Sequence, residues 1–214
     1  MLLNGFLSKL KYRTLVRKRR FVYHILSGDI LESVLQNGKK LQPRRLGYVN
    51  GYANPSLVEN RSAFIIDYGL SLNDAVPFYL SPRQPMFCRL VREKKLSSFD
   101  IVALGYDFDQ IRSTLNPQYV LFSTNPVYDG CRRLADWDAR DQLDWNRLCA
   151  WRWNNDTDPK VTKMAKSAIR QAELDIFASI PLQLLAHVVT DIEYPCSVKN
   201  LNCPRVAVKG LSVW

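Results

Sequence analysis

The stretch Asn73-Asp74-Ala75-Val76-Pro77-Phe78-Tyr79-Leu80-Ser81-Pro82-Arg83-Gln84-Pro85-Met86 joins a short apolar run to a proline-rich turn. Pro77 to Leu80 (PFYL) has the aromatic and aliphatic composition of a strand, and Met86 to Val91 (MFCRLV) predicts a second short strand beyond it. Between them, Ser81 to Pro85 reads as a turn whose two prolines leave the backbone little freedom to lose. Arg83 on such a turn is a candidate contact for a phosphate or an unstacked base; the plainer alternative is an arginine that covers its own turn. Asp74 is read as an internal partner that fixes the turn.

Upstream, Phe21 to Leu26 (FVYHIL) is β-branched and aromatic and predicts a buried strand, after which Asp29, Ile30, Leu31, Val34 and Leu35 take up helical spacing that Gly38 closes. From Arg44 to Asn60 the chain is rich in Gly, Asn, Pro and Tyr without a period, which predicts a long loop. Downstream, strands are expected at 101–104, 119–123, 173–178, 187–192 and 205–213, and helices at 107–115, 136–153 and 160–171. A polar loop (NNDTDP) is expected at 154–159. The pattern is a mixed α+β fold in one domain over residues 21–214, preceded by a basic arm over residues 1–20.

Thirty Lys and Arg against twenty Asp and Glu give a net charge of +10, which favours a polyanionic partner, either nucleic acid or an anionic membrane surface, and charge alone does not choose between them. Lys9, Lys11, Arg13, Arg17, Lys18, Arg19 and Arg20 precede the first acidic residue, Asp29, so the arm is either a phosphate contact or a solvated tail. The apolar start lies before the basic run, the reverse of a signal peptide, and no stretch is long and apolar enough to span a membrane. A soluble cytoplasmic protein with no membrane partner is expected. The five cysteines form no CxxC pair, and Cys196, Cys203 and His187 together fall short of a tetrahedral metal site, so reduced thiols and no metal are expected.

Four stretches together resemble the DarT family, whose members transfer ADP-ribose from NAD to a base in single-stranded DNA. Residues 73–86 resemble that family's Asp-x-Val-Pro-Phe-Tyr-Phe-x-Pro-Arg-x-Pro-Met almost residue for residue. Tyr23-His24 with Asp29-Ile30-Leu31 and Leu35 to Gly38 resembles its N-terminal strand and glycine-closed helix. Glu59-Asn60-Arg61 places an arginine where the family has one that contacts NAD, and Arg170-Gln171-Ala172-Glu173 resembles the segment that carries its catalytic glutamate. Leu26 stands where the family often has threonine, and the segment between Trp153 and Glu173 is several residues longer.

The resemblance implies an ADP-ribosyltransferase-like fold with a mixed, split β-sheet core and flanking helices, NAD as co-substrate and no metal. It implies Glu173 and Arg61 as catalytic residues, with Glu173 stabilising a cation-like ribose and Arg61, too basic for a literal base, orienting and clamping. A NAD-binding set of His24, Ile25, Leu26, Ser33, Leu41 and Arg61 and a nucleic-acid-binding set of Arg83, Gln84, Met86 and Arg170 follow from the same resemblance. From the residues alone, Glu173 is a surface charge at a strand start, Arg61 a loop arginine and His24 a core histidine. His187 is read as structural; Trp151, Trp153 and Tyr48 either stack on unpaired bases or belong to the core. The implied function is a toxin that attaches ADP-ribose to thymidine in single-stranded DNA and releases nicotinamide, countered by a macrodomain antitoxin like DarG. The alternatives are the same chemistry on guanine in DNA or on RNA, and a catalytically silent nucleic-acid-binding protein.

Overall fold

In a computed structural model, which describes residues 2–43, 55–64, 66, 69–93, 95, 97–151 and 159–208, the helices are α1 (Leu2–Arg17), α2 (Gly28–Gln36), α3 (Pro55–Ala63), α4 (Pro85–Arg92), α5 (Phe108–Leu115), α6 (Trp145–Cys149) and α7 (Lys160–Ile169). The strands are β1 (Phe21–Ser27), β2 (Lys40–Leu41), β3 (Val76–Tyr79), β4 (Ile101–Asp107), β5 (Tyr119–Phe122), β6 (Arg133–Leu134), β7 (Glu173–Ile176), β8 (Ile180–Pro181), β9 (Leu185–Thr190) and β10 (Arg205–Ala207). Eight strands form one sheet in the order β10-β9-β4-β1-β3-β7-β5-β6, and β2 and β8 form a separate pair. Every pairing is antiparallel except β10 on β9.

The apolar run 21–26 explains the centre of this sheet, because every residue of β1 is buried, as a strand covered on both faces requires. β1 pairs with β4 over seven residues but with β3 only at Tyr23 opposite Tyr79. The sheet is therefore pinched between β1 and β3, as a split-sheet fold implies, and the site forms beside that pinch. Next to it, His24 Nδ1 donates to the Pro77 carbonyl at 2.8 Å, a side-chain bond where the backbone ladder gives out.

Ser27 caps α2 by accepting from Ile30 N, Leu31 and Val34 turn inward, and Gly38, at φ 87°, takes the left-handed conformation that stops the helix. Gly105 on β4 is required by packing: a Cβ there would lie 2.5 Å from the ring of buried His187, which stacks edge-on against Phe21 and Tyr23. His187 is structural, as expected.

Three expectations are corrected. Residues 86–91 are helix, not strand: Pro85 opens α4 with its φ pre-set, and Phe87, Leu90 and Val91 repeat at helical spacing with Arg89 and Arg92 outward. Residues 136–153 are not one helix; Asp136 and Asp144 each accept from a backbone N–H three residues on, starting a 3-10 turn (Trp137–Gln142) and then α6. Within the expected 44–60 loop, residues 55–60 belong to α3, and 44–54 lie outside the described residues, as do Tyr48, Trp153, the polar loop over 154–158 and residues 209–213. The segment read as an arm is helical from Leu2 to Arg17, with Tyr12 and Val16 buried in the core.

Candidate active site

Alternation along β7 places Glu173 and Asp175 on one face and Leu174 and Ile176 on the other. Cross-strand pairing sets Tyr79 and Pro77 of β3 opposite Glu173 and Asp175, with Phe122 and Val120 of β5 on the other side. Val120, Phe122 and Leu72 form a small apolar cluster beneath this face, apart from the main core. Two carboxylates are thus held among apolar neighbours, where an ionised group needs a partner.

The partner is Arg61. Its Nη1 donates to Glu173 Oε1 at 2.6 Å and its Nη2 to Asp175 Oδ1 at 2.9 Å, with a longer bond from Nη2 to the Leu72 carbonyl at 3.4 Å. The Glu173 and Asp175 side chains are 2% and 0% exposed and that of Arg61 18%, so the guanidinium closes the pair off from solvent. Burial alone would lower the Arg61 pKa, but the Glu173 and Asp175 carboxylates hold it above its usual value. Arg61 is therefore a fixed positive charge and cannot serve as a base. Burial, followed by the charge of Glu173, pushes Asp175 well above the usual carboxylate range, against the pull of Arg61. Burial and then Glu173 likewise raise the Tyr79 phenol.

The His24 ring is buried, and its bond to Pro77 fixes Nδ1 as the protonated nitrogen, which leaves a lone pair on Nε2. Nε2 is buried with no partner among the described residues, and burial lowers the pKa to about 4, so the ring is neutral at physiological pH. A buried acceptor of this kind fits a hydroxyl or amide donor of a bound molecule.

The two most specific sequence motifs meet in space and hold Glu173 in place. Leu80 N donates to the Ala172 carbonyl at 3.2 Å, Gln84 Nε2 donates to the Ser81 and Arg170 carbonyls at 2.8 and 3.1 Å, and Arg170 Nε donates to the Arg83 carbonyl at 3.3 Å. Arg170 also donates to the carbonyls of Arg147 and Leu148 and to the Tyr12 hydroxyl. Arg83 donates to the Trp151 carbonyl and lies 4.4 Å above the Trp151 ring.

In the expected nucleic-acid-binding set, Arg83, Gln84 and Arg170 are 1%, 2% and 0% exposed and their described hydrogen bonds run to the scaffold, because a sequence records that a residue is charged but not which way it points. Trp151 belongs to the same scaffold, edge-on to Tyr12. Met86, at the start of α4, is half-buried. Asp74 accepts from Ser71 N at 2.8 Å and so fixes the 3-10 turn before β3, an internal partner as read. In the expected NAD-binding set, His24, Ile25 and Leu26 share β1, Ser33 is exposed on α2 and Leu41 is buried on β2.

Sequence reasoning missed Asp175 and Tyr79. The alternation Glu173-x-Asp175 and the predicted strand through Tyr79 were the available signals, and both needed the strand pairing to acquire meaning. Beside α3 a cavity of about 620 Å³ is lined by Asn60, Phe64, Phe122, Tyr128, Cys131 and Arg133, against the strand that flanks Glu173.

The model of the family described as "ssDNA thymidine ADP-ribosyltransferase, DarT" matches residues 23–194. A protein of Escherichia coli O127:H6 described as a DNA ADP-ribosyl transferase is 24% identical over 180 residues, covering 80% of each chain. The solved structure of Thermus sp. 2.9 DarT in complex with ADP-ribosylated ssDNA superposes with a TM-score of 0.73 at 21% identity, covering 92% of this chain and 97% of that one. The same Thermus protein in complex with NAD+ gives a TM-score of 0.65 at 21% identity, covering 91% and 98%. Thermosipho africanus DarTG in complex with ADP-ribose gives 0.62 at 15% identity, covering 88% of this chain and 50% of that one. With the motifs of residues 73–86 and 170–173 interlocked around Glu173 and a family match across most of its length, the chain belongs to the DarT family of single-stranded-DNA ADP-ribosyltransferases.

Proposed function

We propose that this protein transfers ADP-ribose from NAD to thymidine in single-stranded DNA and releases nicotinamide, acting in the cytoplasm as a toxin opposed by a DarG-like macrodomain. The observation that carries the reading is the buried Glu173 carboxylate held at 2.6 Å by Arg61. In the reaction the bond between ribose C1′ and the nicotinamide nitrogen breaks with its electron pair going to nicotinamide. A base nitrogen then bonds C1′ and gives up its proton to solvent water. Positive charge develops on the ribose between these events, and a preorganised carboxylate in a dry site opposes it most effectively.

Glu173 is that carboxylate, and Arg61 orients it while offering a positive charge to phosphate or to the anionic form of the base. His24 Nε2 supplies an acceptor to a ribose hydroxyl or the nicotinamide amide, and the family resemblance assigns Ile25, Leu26, Ser33 and Leu41 to the NAD side. The aromatic cavity of Phe64, Phe122 and Tyr128 suits an unstacked base, which a single strand presents without the cost of opening a duplex. The +10 charge of the chain draws the phosphate backbone to it. The Thermus complexes with NAD+ and with ADP-ribosylated ssDNA, and a DarTG protein of the same fold, support the reading.

The test is incubation of wild type and Glu173→Ala with labelled NAD and matched pools of single-stranded DNA and RNA. The expected result is label on thymidine-containing DNA with wild type only. Label on guanine or on RNA would keep the chemistry and move the acceptor, and binding without transfer would reduce the protein to a nucleic-acid binder.

A further inference from the structure

The acceptor, NAD and Glu173 leave the second buried carboxyl of the site, Asp175, without a task. Asp175 lies two residues beyond Glu173 on the same face of β7, is fully buried, and receives the Arg61 nitrogen that Glu173 does not use. We propose that Asp175 is a positioning residue for the transfer: it grips Nη2 of the Arg61 guanidinium so that Nη1 stays against Glu173. The inference rests on the transfer reading above.

The geometry calls for such a grip. α3 approaches the sheet from a segment that contributes few other bonds to Arg61; the remaining described contact of Nη2 is the 3.4 Å bond to the Leu72 carbonyl. A guanidinium held at one nitrogen turns about its long side chain, whereas one held at both is fixed in plane and angle. The groups that face Asp175 are Arg61 of α3, Glu173 of its own strand and Tyr79 of β3, while Pro77 and Val120 sit directly opposite on the two neighbouring strands. Asp175 Oδ2 is buried and finds no donor among the described residues, and the Asp175 side chain lies on the same face of β7 as that of Glu173.

An ionised oxygen so placed is costly, and a proton on it turns two opposed acceptors into a donor and an acceptor. Asp175 therefore works with its proton on, as burial and its charged neighbour favour, and leaves the charge of Arg61 to Glu173. Raising the pH until Asp175 ionises draws Arg61 toward it and weakens its hold on Glu173.

The experiment compares wild type, Asp175→Leu and Asp175→Asn. Asp175→Leu is expected to lose roughly 10- to 100-fold in kcat with KM for NAD little changed, the cost of a misplaced group. Asp175→Asn, which keeps a neutral acceptor for Nη2, is expected to recover most of that loss and to flatten the fall of kcat at high pH that the proposal expects of wild type. In parallel, 15N NMR of the arginine guanidinium groups, with Arg61 assigned by Arg61→Lys, is expected to show a sharp, slowly rotating Arg61 signal in wild type and Asp175→Asn. That signal should be averaged away in Asp175→Leu.

Wild-type kcat and pH profile in a folded Asp175→Leu would overturn the proposal. So would equal losses in the two variants with the alkaline fall intact, or an unchanged Arg61 signal in Asp175→Leu. If Asp175→Leu fails to fold, the pH profile and Arg61 signal of Asp175→Asn decide. If wild type moves no label to nucleic acid, the transfer reading fails, and the Arg61 signal still decides whether Asp175 holds the guanidinium.

Discussion

Arg61 and Arg170 are both guanidinium groups packed beside the start of β7, and they are satisfied in opposite ways. Arg61 is gripped by the Glu173 carboxylate and the Asp175 side chain, with the charge of Glu173 foremost in raising its pKa against burial, whereas the described partners of Arg170 are backbone carbonyls and the Tyr12 hydroxyl, and burial lowers its pKa. The first arrangement concentrates opposed charges at the rim of a site where charge can be useful. The second disperses one charge over neutral dipoles deep in the scaffold and ties α1, the turn at 81–85 and α6 to the strand that bears Glu173. The lesson is that a buried arginine announces a function or a framework by the charge state of its partners, not by its burial.

The comparison breaks most visibly at Arg170. Arg170→Met leaves the Arg147 and Leu148 carbonyls and the Tyr12 hydroxyl short of a buried donor, and a loss of roughly 3–5 kcal/mol is expected by thermal or denaturant unfolding. Glu173→Gln acts on the other side: it keeps the shape and removes the charge, so kcat for transfer should fall by roughly 10²- to 10³-fold while the fold persists, as circular dichroism would record.

The two histidines give a smaller effect, one in the site and one in the scaffold. His24 and His187 are both lowered by burial to about 4 from an ordinary value of 6.5. The unfolded chain takes up these protons first as the pH drops, so their contribution is present above about 6.5 and is lost progressively on acidification toward 4. On the order of 3 kcal/mol per residue is at stake, and His187→Leu should show a shallower loss of Tm across that range than wild type. Arg61→Lys keeps the charge but not the fork. Transfer should fall by about 10-fold, with Glu173 and Asp175 no longer spanned by one side chain.

Much of the framework was legible. The β-branched and aromatic run at 21–26 suited a buried strand, and Asp29 to Gly38 carried a helical period with its own stop signal. The turn at 81–85 was legible from its prolines, but the helix that follows was not, because Met86 to Val91 satisfies a strand composition and a helix spacing equally well over so short a run. Glu173 and Arg61 were reached through motif resemblance; nothing in their local sequence distinguishes them from surface charges.

What the amino-acid sequence determined by itself was the α+β class, the positive charge and the identity of the two motifs, because composition, period and residue type are properties of the chain. That Arg61 would bridge Glu173 and Asp175 across 112 and 114 residues, and that Arg83 and Arg170 would turn inward, was decided only by the tertiary structure. Direction and partnership of a side chain are set by strand register and by which segments pack against it, and neither is encoded within reach of the residue itself.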